Sequence, residues 1–564
     1  MVIGIVLATY WPALSAQALY LDDDLYLGSP LVQQPSWSSV QRVFGEVLAP
    51  SAITGYYQPL ALVSLMLDFL DPAAHNSLLP FHRTSLLLHL LNTALVVVLL
   101  YLLFGNWLTA AFVGLLYGLH PLNADAVLWI AERKTVLSTF FALAALVFYV
   151  MYARRADKKR GGDWKYYGAA LLLYVFALLS KPTALPLAVL LPVLDYWPLN
   201  RLNRRTLLEK APFLIVAGLF AVVTIISQQE SGKTGSPDAA YLFGKLPLVI
   251  CYALVLYVSK LVWPAGLVAD YPFPPPPFTL MSTPVLVSVI GTLMLVVALA
   301  LSARRTRAWL AGGLFFFIAI FPALGVIPFT STIAANRFMY LPMIGLLLPL
   351  NWTLNRLWNT AVGALQVSGV RIILAVVGAI LALACFGVTR AYMTPWQDTV
   401  TLLQYYLTQT PNQWKLHNRL GGEWLKRGNL DGAIAECMET VRLNPAWATN
   451  HLNLGRVLFM VGRFDEAQAA FAAALQLEPN NWQAHVLMGK TLSKKNELEG
   501  ALKEFQTAAQ LNPMLAEIHY DSADILARQG KLAEAVQEYQ ETLRLDPNYQ
   551  EAQSALDAIA SKQP

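Results

Sequence analysis

The sequence predicts an all-α protein with a polytopic membrane domain of about eleven helices, followed by a soluble α-solenoid. Three observations support this fold class. The 564 residues are 56% hydrophobic and only 13% charged, with a mean hydropathy of +0.48. Long apolar runs are confined to residues 1–390, and a regular repeat fills the remainder. This composition excludes a soluble globular enzyme.

The predicted spans come first, because a helix needs about 20 apolar residues to cross a bilayer and several segments approach that length. The eleven candidates are residues 2–21, 84–104, 108–120, 135–152, 166–180, 182–196, 211–227, 285–303, 308–325, 339–357 and 372–389. A twelfth apolar segment, Leu246–Val262, is interpreted as re-entrant or interfacial. A crossing there would place the basic cluster at Arg304 outside.

Basic loops fix the predicted orientation, because short cytoplasmic loops are enriched in Lys and Arg. Three loops qualify; their basic residues are Arg154, Arg155, Lys158, Lys159 and Arg160, then Arg201, Arg204 and Arg205, then Arg304, Arg305 and Arg307. With the N-terminus inside, the long loop 22–83 is external. The basic residues behind the net charge of +5 therefore indicate the orientation of the protein in the membrane, and we expect no nucleic-acid partner.

The first external loop opens with Asp22, Asp23 and Asp24, directly after the first apolar segment. Carboxylates beside a bilayer cost free energy unless water or a partner compensates them, so they are candidates for function. The alternative interpretation is a solvated helix end that stops the span.

The C-terminal region repeats every 34 residues, the period of the tetratricopeptide repeat. The recurring prolines are Pro411, Pro445, Pro479, Pro513 and Pro547, and the glycines or alanine at helix contacts are Gly421, Gly455, Gly489 and Ala523. Gly428, Gly462 and Gly530 mark turns, with Asn496 in the third repeat. Residues 391–410 form a connector, and residues 411–564 form four repeats and a capping helix (549–561). Such solenoids bind polypeptides in a concave groove.

Acids and bases converge on the predicted external face. A carboxylate can take a proton from a hydroxyl nucleophile, and Arg or Lys can neutralise a phosphate leaving group. The cluster of Asp22, Asp23 and Asp24 is the candidate for the base; the predicted phosphate- and substrate-binding residues are His120, Asp125, Glu132, Arg133, Lys134, Lys181, Arg337 and Tyr340. Structural alternatives stay open: Lys181 at a helix end, His120 as a cap, and Arg133 in an ion-pair network.

No Gly-rich phosphate loop, CxxC or HExxH motif is present, and no Ser-His-Asp order is seen. An external site has no nucleotide sugar, so a lipid-linked donor is the expected energy source. No cofactor is required. Paired aspartates supply fewer oxygens than a hard divalent cation prefers, so catalysis without a metal is favoured over catalysis assisted by one.

Several strings resemble bacterial relatives of the transmembrane and tetratricopeptide-repeat O-mannosyltransferases, which are GT-C glycosyltransferases. They are Asp22-Asp23-Asp24-Leu25-Tyr26, Gln58-Pro59-Leu60, Phe81-His82, His120-Pro121, Ala131-Glu132-Arg133-Lys134, Ser180-Lys181-Pro182, Leu194-Asp195-Tyr196-Trp197-Pro198-Leu199 and Asn336-Arg337-Phe338-Met339-Tyr340-Leu341-Pro342. The resemblance implies inverting transfer of a sugar, typically mannose, from a polyprenyl-phosphate donor to Ser or Thr hydroxyls. It also implies that Asp22 and Asp23 are the catalytic residues, as the acidic pair that supplies the base or its partner.

The leading hypothesis is thus a multi-pass glycosyltransferase of the bacterial inner membrane, with its active site and repeats on the periplasmic face. Its partners would be a polyprenyl-phosphate-linked sugar, membrane lipids and an acceptor polypeptide in the repeat groove. Two alternatives remain: a membrane-anchored scaffold that recruits envelope proteins, and a GT-C enzyme that glycosylates a lipid or a cell-wall glycan.

Overall fold

The computed structural model describes the chain apart from residues 21, 49–52, 54–56, 157–162, 231–243, 275–277, 326–331, 361–366 and 562–564. Lys158, Lys159 and Arg160, which belong to the first predicted cytoplasmic loop, lie outside the described residues. The described part is almost entirely helical, as the composition and periodicity predict. Two compact units are present, residues 1–402 and residues 403–564.

The first unit is built from helices of very different lengths. They are α1 (Val2–Tyr10), α2 (Asp23–Leu27), α3 (Pro30–Gln33), α4 (Trp37–Gly45), α5 (Pro59–Asp68), α6 (Leu79–Phe104), α7 (Trp107–Leu119), α8 (Ala124–Leu128), α9 (Arg133–Ala156), α10 (Trp164–Ser180), α11 (Leu187–Tyr196), α12 (Arg204–Leu208), α13 (Ala211–Glu230), α14 (Leu246–Val262), α15 (Thr283–Ala303), α16 (Arg307–Ile320), α17 (Met343–Thr360), α18 (Val367–Met393) and α19 (Thr399–Gln409), which continues into the second unit.

Short 3₁₀ turns and one small β-ladder connect these helices. The turns are Trp11–Ser15, Pro72–His75, Pro121–Asn123, Ile130–Glu132, Pro182–Ala184, Phe321–Ala323, Asn336–Met339 and Thr394–Gln397. The ladder pairs β1 (Asp270–Tyr271) with β2 (Ala334–Ala335) in antiparallel register, Asp270 opposite Ala335. This ladder matters for the site, because it joins two loops that are distant in sequence.

The first predicted span is shorter than expected. Its α-helix ends at Tyr10 and is followed by the 3₁₀ turn, with Pro12 at its start, and then by extended backbone. Proline has no N–H to donate, so Pro12 cannot continue the hydrogen bonding of the preceding helix. The N–H groups of Gln17 and Ala18 instead donate to the Trp396 carbonyl at 3.3 and 3.1 Å. The chain therefore approaches the acidic cluster as an extended segment that these two hydrogen bonds hold in place.

The remaining apolar segments are helical. Five helices are long and apolar enough to cross a membrane, and a sixth crossing results if the bent pair α7–α8 counts as one span. The five lie within residues 79–104, 130–155, 204–228, 283–303 and 371–397, and most of the others are shorter apolar helices. The protein is a membrane protein; the count of eleven crossings and the path of Leu246–Val262 remain predictions.

Burial separates inner helices from outer ones. In the most apolar stretch of residues 130–155, 78% of the residues are buried, against 11% for residues 283–303. Large apolar side chains such as Leu293 and Met294 are exposed on that outer helix. A helix that is apolar all round and exposed on one side is typical of lipid contact. Helix α9 is thus central, and its N-terminal end carries the candidate site.

The second unit is a stack of helix pairs. Its helices are α20 (Trp414–Lys426), α21 (Leu430–Leu443), α22 (Ala448–Met460), α23 (Phe464–Leu477), α24 (Trp482–Lys494), α25 (Leu498–Leu511), α26 (Ala516–Arg528), α27 (Leu532–Leu545) and α28 (Gln550–Ala560). The predicted turn residues are confirmed: Gly428, Gly462 and Gly530 have φ of 74°, 81° and 78°, and Asn496 has φ of 63°. Asparagine tolerates this left-handed backbone better than most side chains.

Candidate functional site

Asp23 accepts hydrogen bonds from two backbone N–H groups at the candidate site. Its Oδ2 accepts the Tyr20 N–H at 2.9 Å, and its Oδ1 accepts the Ala131 N–H at 2.7 Å. The side chain is fully buried, and burial raises its pKa well above the ordinary value of 3.8, against the opposing effect of these two N–H groups. Both oxygens of the buried Asp23 are thus engaged with backbone, and the side chain joins the segment at Tyr20 to the turn at Ala131.

Asp22 differs from its neighbour in exposure and in the partners of its carboxylate. It precedes α2 as the N-cap residue, its side chain is 35% exposed, and its Oδ2 lies 3.6 Å from Lys134 Nζ. Its Oδ1 is buried, and no hydrogen bond reaches this atom within the described residues. Asp24 points elsewhere and is exposed. Of the three aspartates, Asp22 is the one that combines access with a cationic neighbour.

Glu132 is the centre of a buried ion cluster. Its Oε2 lies 2.9 Å from Lys181 Nζ and accepts the Thr135 hydroxyl, while its Oε1 lies 3.1 Å from Arg337 Nε. Lys134 Nζ is 3.8 Å from the same Oε1. Three cations that come from three separate segments therefore converge on one carboxylate.

Each cation is held by a second partner. Lys134 Nζ donates to the Tyr26 hydroxyl at 3.1 Å and lies over the Tyr26 ring. Lys181 Nζ donates to Thr135 Oγ1 at 2.7 Å. Burial lowers the pKa of Lys181 from 10.5 to about 8, although Glu132 partly opposes this effect. Lys181 therefore loses its proton at a lower pH than an ordinary lysine does.

Arg337 is placed by the β-ladder. Its Nη1 donates to Asp270 Oδ1 at 2.9 Å and to the Ala269 carbonyl at 3.1 Å, and its guanidinium lies 4.6 Å from the centre of the Trp129 ring. Asp270 and Glu132 raise the pKa of Arg337 above its ordinary value, and they outweigh the burial that would lower it. Arg337 is therefore a permanent positive charge at the site.

The remaining predicted site residues have internal partners of their own. Arg133 points away from the cluster and pairs with Asp68 at 2.8 Å, with Ser85, Ser64 and the Phe81 carbonyl completing its donors. Adjacent residues of a helix point about 100° apart, so Arg133 and Lys134 face different surroundings. Arg133 thus stabilises the packing of α5 and α6 against α9.

His120, Asp125 and Tyr340 also make structural contacts. His120 Nε2 lies 3.0 Å from the Leu261 carbonyl. Asp125 accepts from the Tyr392 hydroxyl at 2.6 Å and from Asn336 Nδ2 at 2.9 Å. The Tyr340 hydroxyl lies 2.6 Å from His89 Nδ1. The contacts of Asp125 and Tyr340 hold the segment that bears Arg337, whereas His120 joins the turn after α7 to the end of α14.

Three contributors to the cluster were not assigned from the sequence. Tyr26 stands in a recognisable string, but nothing in that string links it to Lys134. Thr135 follows the basic pair by one residue. Asp270 has no local signal, because only the β-ladder brings it beside Arg337. No group of three or more His, Cys, Asp or Glu side chains is placed to hold a metal ion in the part of the chain that the structure describes.

The chain is similar to known protein O-mannosyl-transferases. It is 30% identical over 183 residues to the Drosophila melanogaster protein O-mannosyl-transferase Tmtc2, which covers 32% of this chain and 19% of that protein. It is 22% identical over 459 residues to the Caenorhabditis elegans protein O-mannosyl-transferase F38B6.6, which covers 79% of this chain and 62% of that protein. The matches thus span less than two thirds of these relatives' lengths.

The repeats match independently. The tetratricopeptide repeat model matches residues 452–513 and 486–550. Among solved structures, the MamA protein is 19% identical, with a TM-score of 0.26 over 27% of this chain and 84% of that chain. The similarity to protein O-mannosyl-transferases confirms the resemblance predicted from the motifs, and the match to the repeat model confirms the presence of the repeats.

A second ion network lies at the other end of α9. Asp195 accepts from the Tyr149 hydroxyl at 2.7 Å and pairs with Lys210 at 2.5 Å and Arg201 at 3.1 Å. Glu209 pairs with Arg201. Tyr149 is sixteen residues after Arg133, about 24 Å along a helix. Two acids and two bases compensate one another here, which is typical of a structural network.

Proposed function

We propose that the protein is a glycosyltransferase of the bacterial inner membrane. It transfers a sugar, with mannose the first candidate, from a polyprenyl-phosphate donor to Ser or Thr hydroxyls of an acceptor polypeptide. The observation that carries this proposal is the convergence of Lys134, Lys181 and Arg337 beside the accessible carboxylate of Asp22. The similarity to protein O-mannosyl-transferases supports the same reaction class.

The three cations suit a phosphate leaving group. When the bond between the anomeric carbon and the phosphate oxygen breaks, its electron pair goes to that oxygen, and the phosphate gains one negative charge. Fixed Lys and Arg side chains in a site with little water stabilise charge that develops in this way. Glu132 keeps the three cations together, because like charges at this spacing repel one another without a shared counterion.

Asp22 is the proposed general base. The acceptor oxygen attacks the anomeric carbon from the face opposite the phosphate, so the configuration at that carbon inverts. The proton of the acceptor hydroxyl passes to the Asp22 carboxylate, whose side chain is partly exposed and whose buried Oδ1 has no hydrogen-bond partner within the described residues. Asp23 acts as a positioning residue through its two backbone hydrogen bonds. Proton removal of this kind typically contributes about 10²–10⁴-fold in rate.

The repeats are the proposed binding site for the acceptor polypeptide, since stacked helix pairs of this type offer a groove for extended chains. We also propose that the site and the repeats face the periplasm. The basic residues Arg201, Arg204 and Arg205 at the other end of α9 support this orientation, because they are expected in the cytoplasm.

The test is a donor panel. The purified full-length chain is incubated with membranes from a strain that lacks it, together with polyprenyl-phosphate mannose, glucose or galactose carrying a radiolabel. We expect label from one donor to become attached to polypeptide and to be released by β-elimination, as for a Ser- or Thr-linked sugar. Label found only in lipid or cell-wall glycan would show that the acceptor is not a polypeptide. The absence of label from every donor would favour the alternative of a membrane-anchored scaffold.

A further inference from the structure

The segment that leads to Asp22 belongs to no helix or ladder. It comprises residues 16–20, between the 3₁₀ turn Trp11–Ser15 and helix α2. Backbone N–H groups in such a segment need partners from elsewhere in the protein, because no regular structure supplies them. Four successive N–H groups here all have partners; they belong to Gln17, Ala18, Leu19 and Tyr20. The identity of these partners shows what fixes the approach to Asp22.

Three of the four N–H groups donate to the junction, which we define as residues 394–399 between the end of α18 and the start of α19. The N–H groups of Gln17 and Ala18 donate to the Trp396 carbonyl at 3.3 and 3.1 Å. The Leu19 N–H donates to Thr399 Oγ1 at 3.0 Å. Of these two junction partners, Thr399 acts through its side chain, so a substitution can remove its hydrogen bond.

The N-terminal segment meets the same region at earlier positions as well. Gln397 Nε2 donates to the Pro12 carbonyl at 3.2 Å, and Gln397 Oε1 accepts the Ser15 hydroxyl at 3.2 Å. Near the end of α18, Arg390 Nη1 donates to the Thr9 carbonyl at 3.4 Å. The end of α18 and the junction therefore hold the N-terminal segment at several points, and the hydrogen bond of Leu19 is the last of these before the acidic cluster.

A row of aromatic rings leads from the junction to the cation cluster. The Tyr20 ring lies edge-on to the Trp396 ring, with 6.3 Å between their centres, and edge-on to the Trp129 ring, at 4.9 Å. The Trp129 ring in turn contacts the Arg337 guanidinium. Aromatic pairs prefer this edge-to-face arrangement, and all three rings are buried. The junction thus reaches the segment of the proposed base through hydrogen bonds and Arg337 through packed rings.

We propose that the junction, through Trp396 and Thr399, positions Asp22 for the transfer. This inference rests on the proposed function, in which Asp22 is the base. A general base must lie within hydrogen-bond reach of the hydroxyl that it deprotonates. A displacement of about 1 Å can cost roughly 10²-fold in rate. Thr399 is a positioning residue, because its hydroxyl acts on Asp22 through the backbone of Leu19.

The start of α19 gives the Thr399 hydroxyl a fixed place. Thr399 is the first residue of this helix and is buried. Asp398, directly before it, accepts the Thr401 N–H at 3.0 Å and so caps the helix. Because α19 continues into the second unit, the hydrogen bond of Leu19 attaches the segment of Asp22 to the helix that leads into the repeats.

Thr399→Val is the variant for the test, because valine keeps the shape of threonine and loses the hydroxyl. The Leu19 N–H then has no acceptor at this position. Thr399→Ser keeps the hydroxyl and is the rescue variant. Thr408→Val is the matched control on the same helix: the Thr408 hydroxyl donates to the Tyr405 carbonyl at 2.6 Å and accepts from Gln409, so its contacts lie within α19.

The experiment measures two quantities on the full-length chain in nanodiscs. The first is transfer kinetics with the donor that the panel identifies, and the second is hydrogen–deuterium exchange of the peptic peptide that contains Leu19. We expect Thr399→Val to lower kcat about tenfold through misplacement of the base. The KM for the donor and the melting temperature should not change, because the cations stay in place, and exchange at Leu19 should become faster. Thr399→Ser and Thr408→Val should behave as the wild type does.

The outcomes separate this inference from the proposed function. If Thr399→Val exchanges faster at Leu19 but transfers sugar at the wild-type rate, the positioning role is wrong, and the glycosyltransferase stands. Unchanged exchange at Leu19, or a loss of kcat that serine does not rescue and that follows the melting temperature, also overturns the positioning role. If the wild type transfers no sugar from any donor, the proposed function is wrong, and the role that rests on it is wrong as well.

Discussion

The Asp22 carboxylate lies 3.6 Å from the Lys134 ammonium, although more than a hundred residues separate them in the sequence. Lys134 in turn shares Glu132 with Lys181 and Arg337. The proposed base for the acceptor and the proposed cationic site for the leaving group are thereby joined through a single lysine. Proton removal and departure of the phosphate can then take place within one connected network.

Arg133 and Lys134 give opposite expectations despite being neighbours. Arg133→Met leaves Asp68 buried without its cation, so we expect a loss of about 3 kcal/mol in stability, typical of a broken buried ion pair. Lys134→Met leaves Asp22 in contact with water and Glu132 with two other cations, so stability should change little while transfer falls. Heating followed by size-exclusion chromatography measures the first effect, and the labelled-sugar assay the second. Equal melting temperatures for the two variants would contradict this division.

Glu132 competes with an incoming phosphate for the same three cations. Glu132→Gln removes one negative charge from the cluster, and we expect undecaprenyl phosphate to bind roughly tenfold more tightly at pH 7, or ~1.4 kcal/mol. Glu132→Asp keeps the charge and is the control, with no such gain expected. Native mass spectrometry in nanodiscs compares the variants. Weaker binding to Glu132→Gln would contradict this expectation, and it would show that Glu132 helps phosphate binding more by holding the cations in place than it hinders binding by competing for them.

Lys181 makes phosphate binding depend on pH. Burial lowers the pKa of Lys181 to about 8, so the protonated form, which binds an anion, is lost as the pH rises through this value. We expect the affinity for undecaprenyl phosphate to fall between pH 7 and pH 9. A phosphate monoester has its second pKa near 6, so the charge of the ligand is constant over this range. Lys181→Arg keeps its proton and should give a flat profile. If the affinity of the wild type is also independent of pH over this range, Lys181 is not the group that makes phosphate binding depend on pH.

The repeats allow a matched test of close packing. A Cβ on Gly455 would meet the Phe471 ring at 2.6 Å, whereas a Cβ on Gly422 would meet nothing within 4 Å. We expect Gly455→Ala to destabilise the repeats by about 1–3 kcal/mol through overpacking. Gly422→Ala should be neutral or stabilising, because alanine favours a helix by about 1 kcal/mol over glycine. Limited proteolysis of the full chain reports both. Equal resistance of the two variants would contradict the packing.

The repeats could be predicted from the sequence in residue-level detail, because a 34-residue period assigns each position a fixed place in the stack. Gly428 and Asn496 show this: both were expected at the turn between the helices of a repeat, and both have positive φ there. The first span was overestimated, since its apolar composition continues past Pro12 while the α-helix ends at Tyr10.

The candidate site could be predicted only in part. The sequence indicated the residue types and placed them on one predicted face of the membrane. The different proposed roles of Asp22 and Asp23, and of Arg133 and Lys134, depend on the direction in which each side chain points. The direction of each side chain follows from tertiary packing: Asp23 accepts a hydrogen bond from the Ala131 N–H, and Arg133 forms an ion pair with Asp68. Asp270 could not be found at all, because a two-residue β-ladder alone links it to Arg337.

The most direct measurement compares Asp22→Asn with Asp24→Asn in transfer of radiolabelled mannose from polyprenyl-phosphate mannose to protein. Both substitutions remove one carboxylate from the same short segment, but only Asp22 faces Lys134. We expect Asp22→Asn to lose at least about 10²-fold in rate, with an unchanged melting temperature, and Asp24→Asn to retain most of its rate. Equal rates in wild type and Asp22→Asn would contradict the assignment of Asp22 as the base.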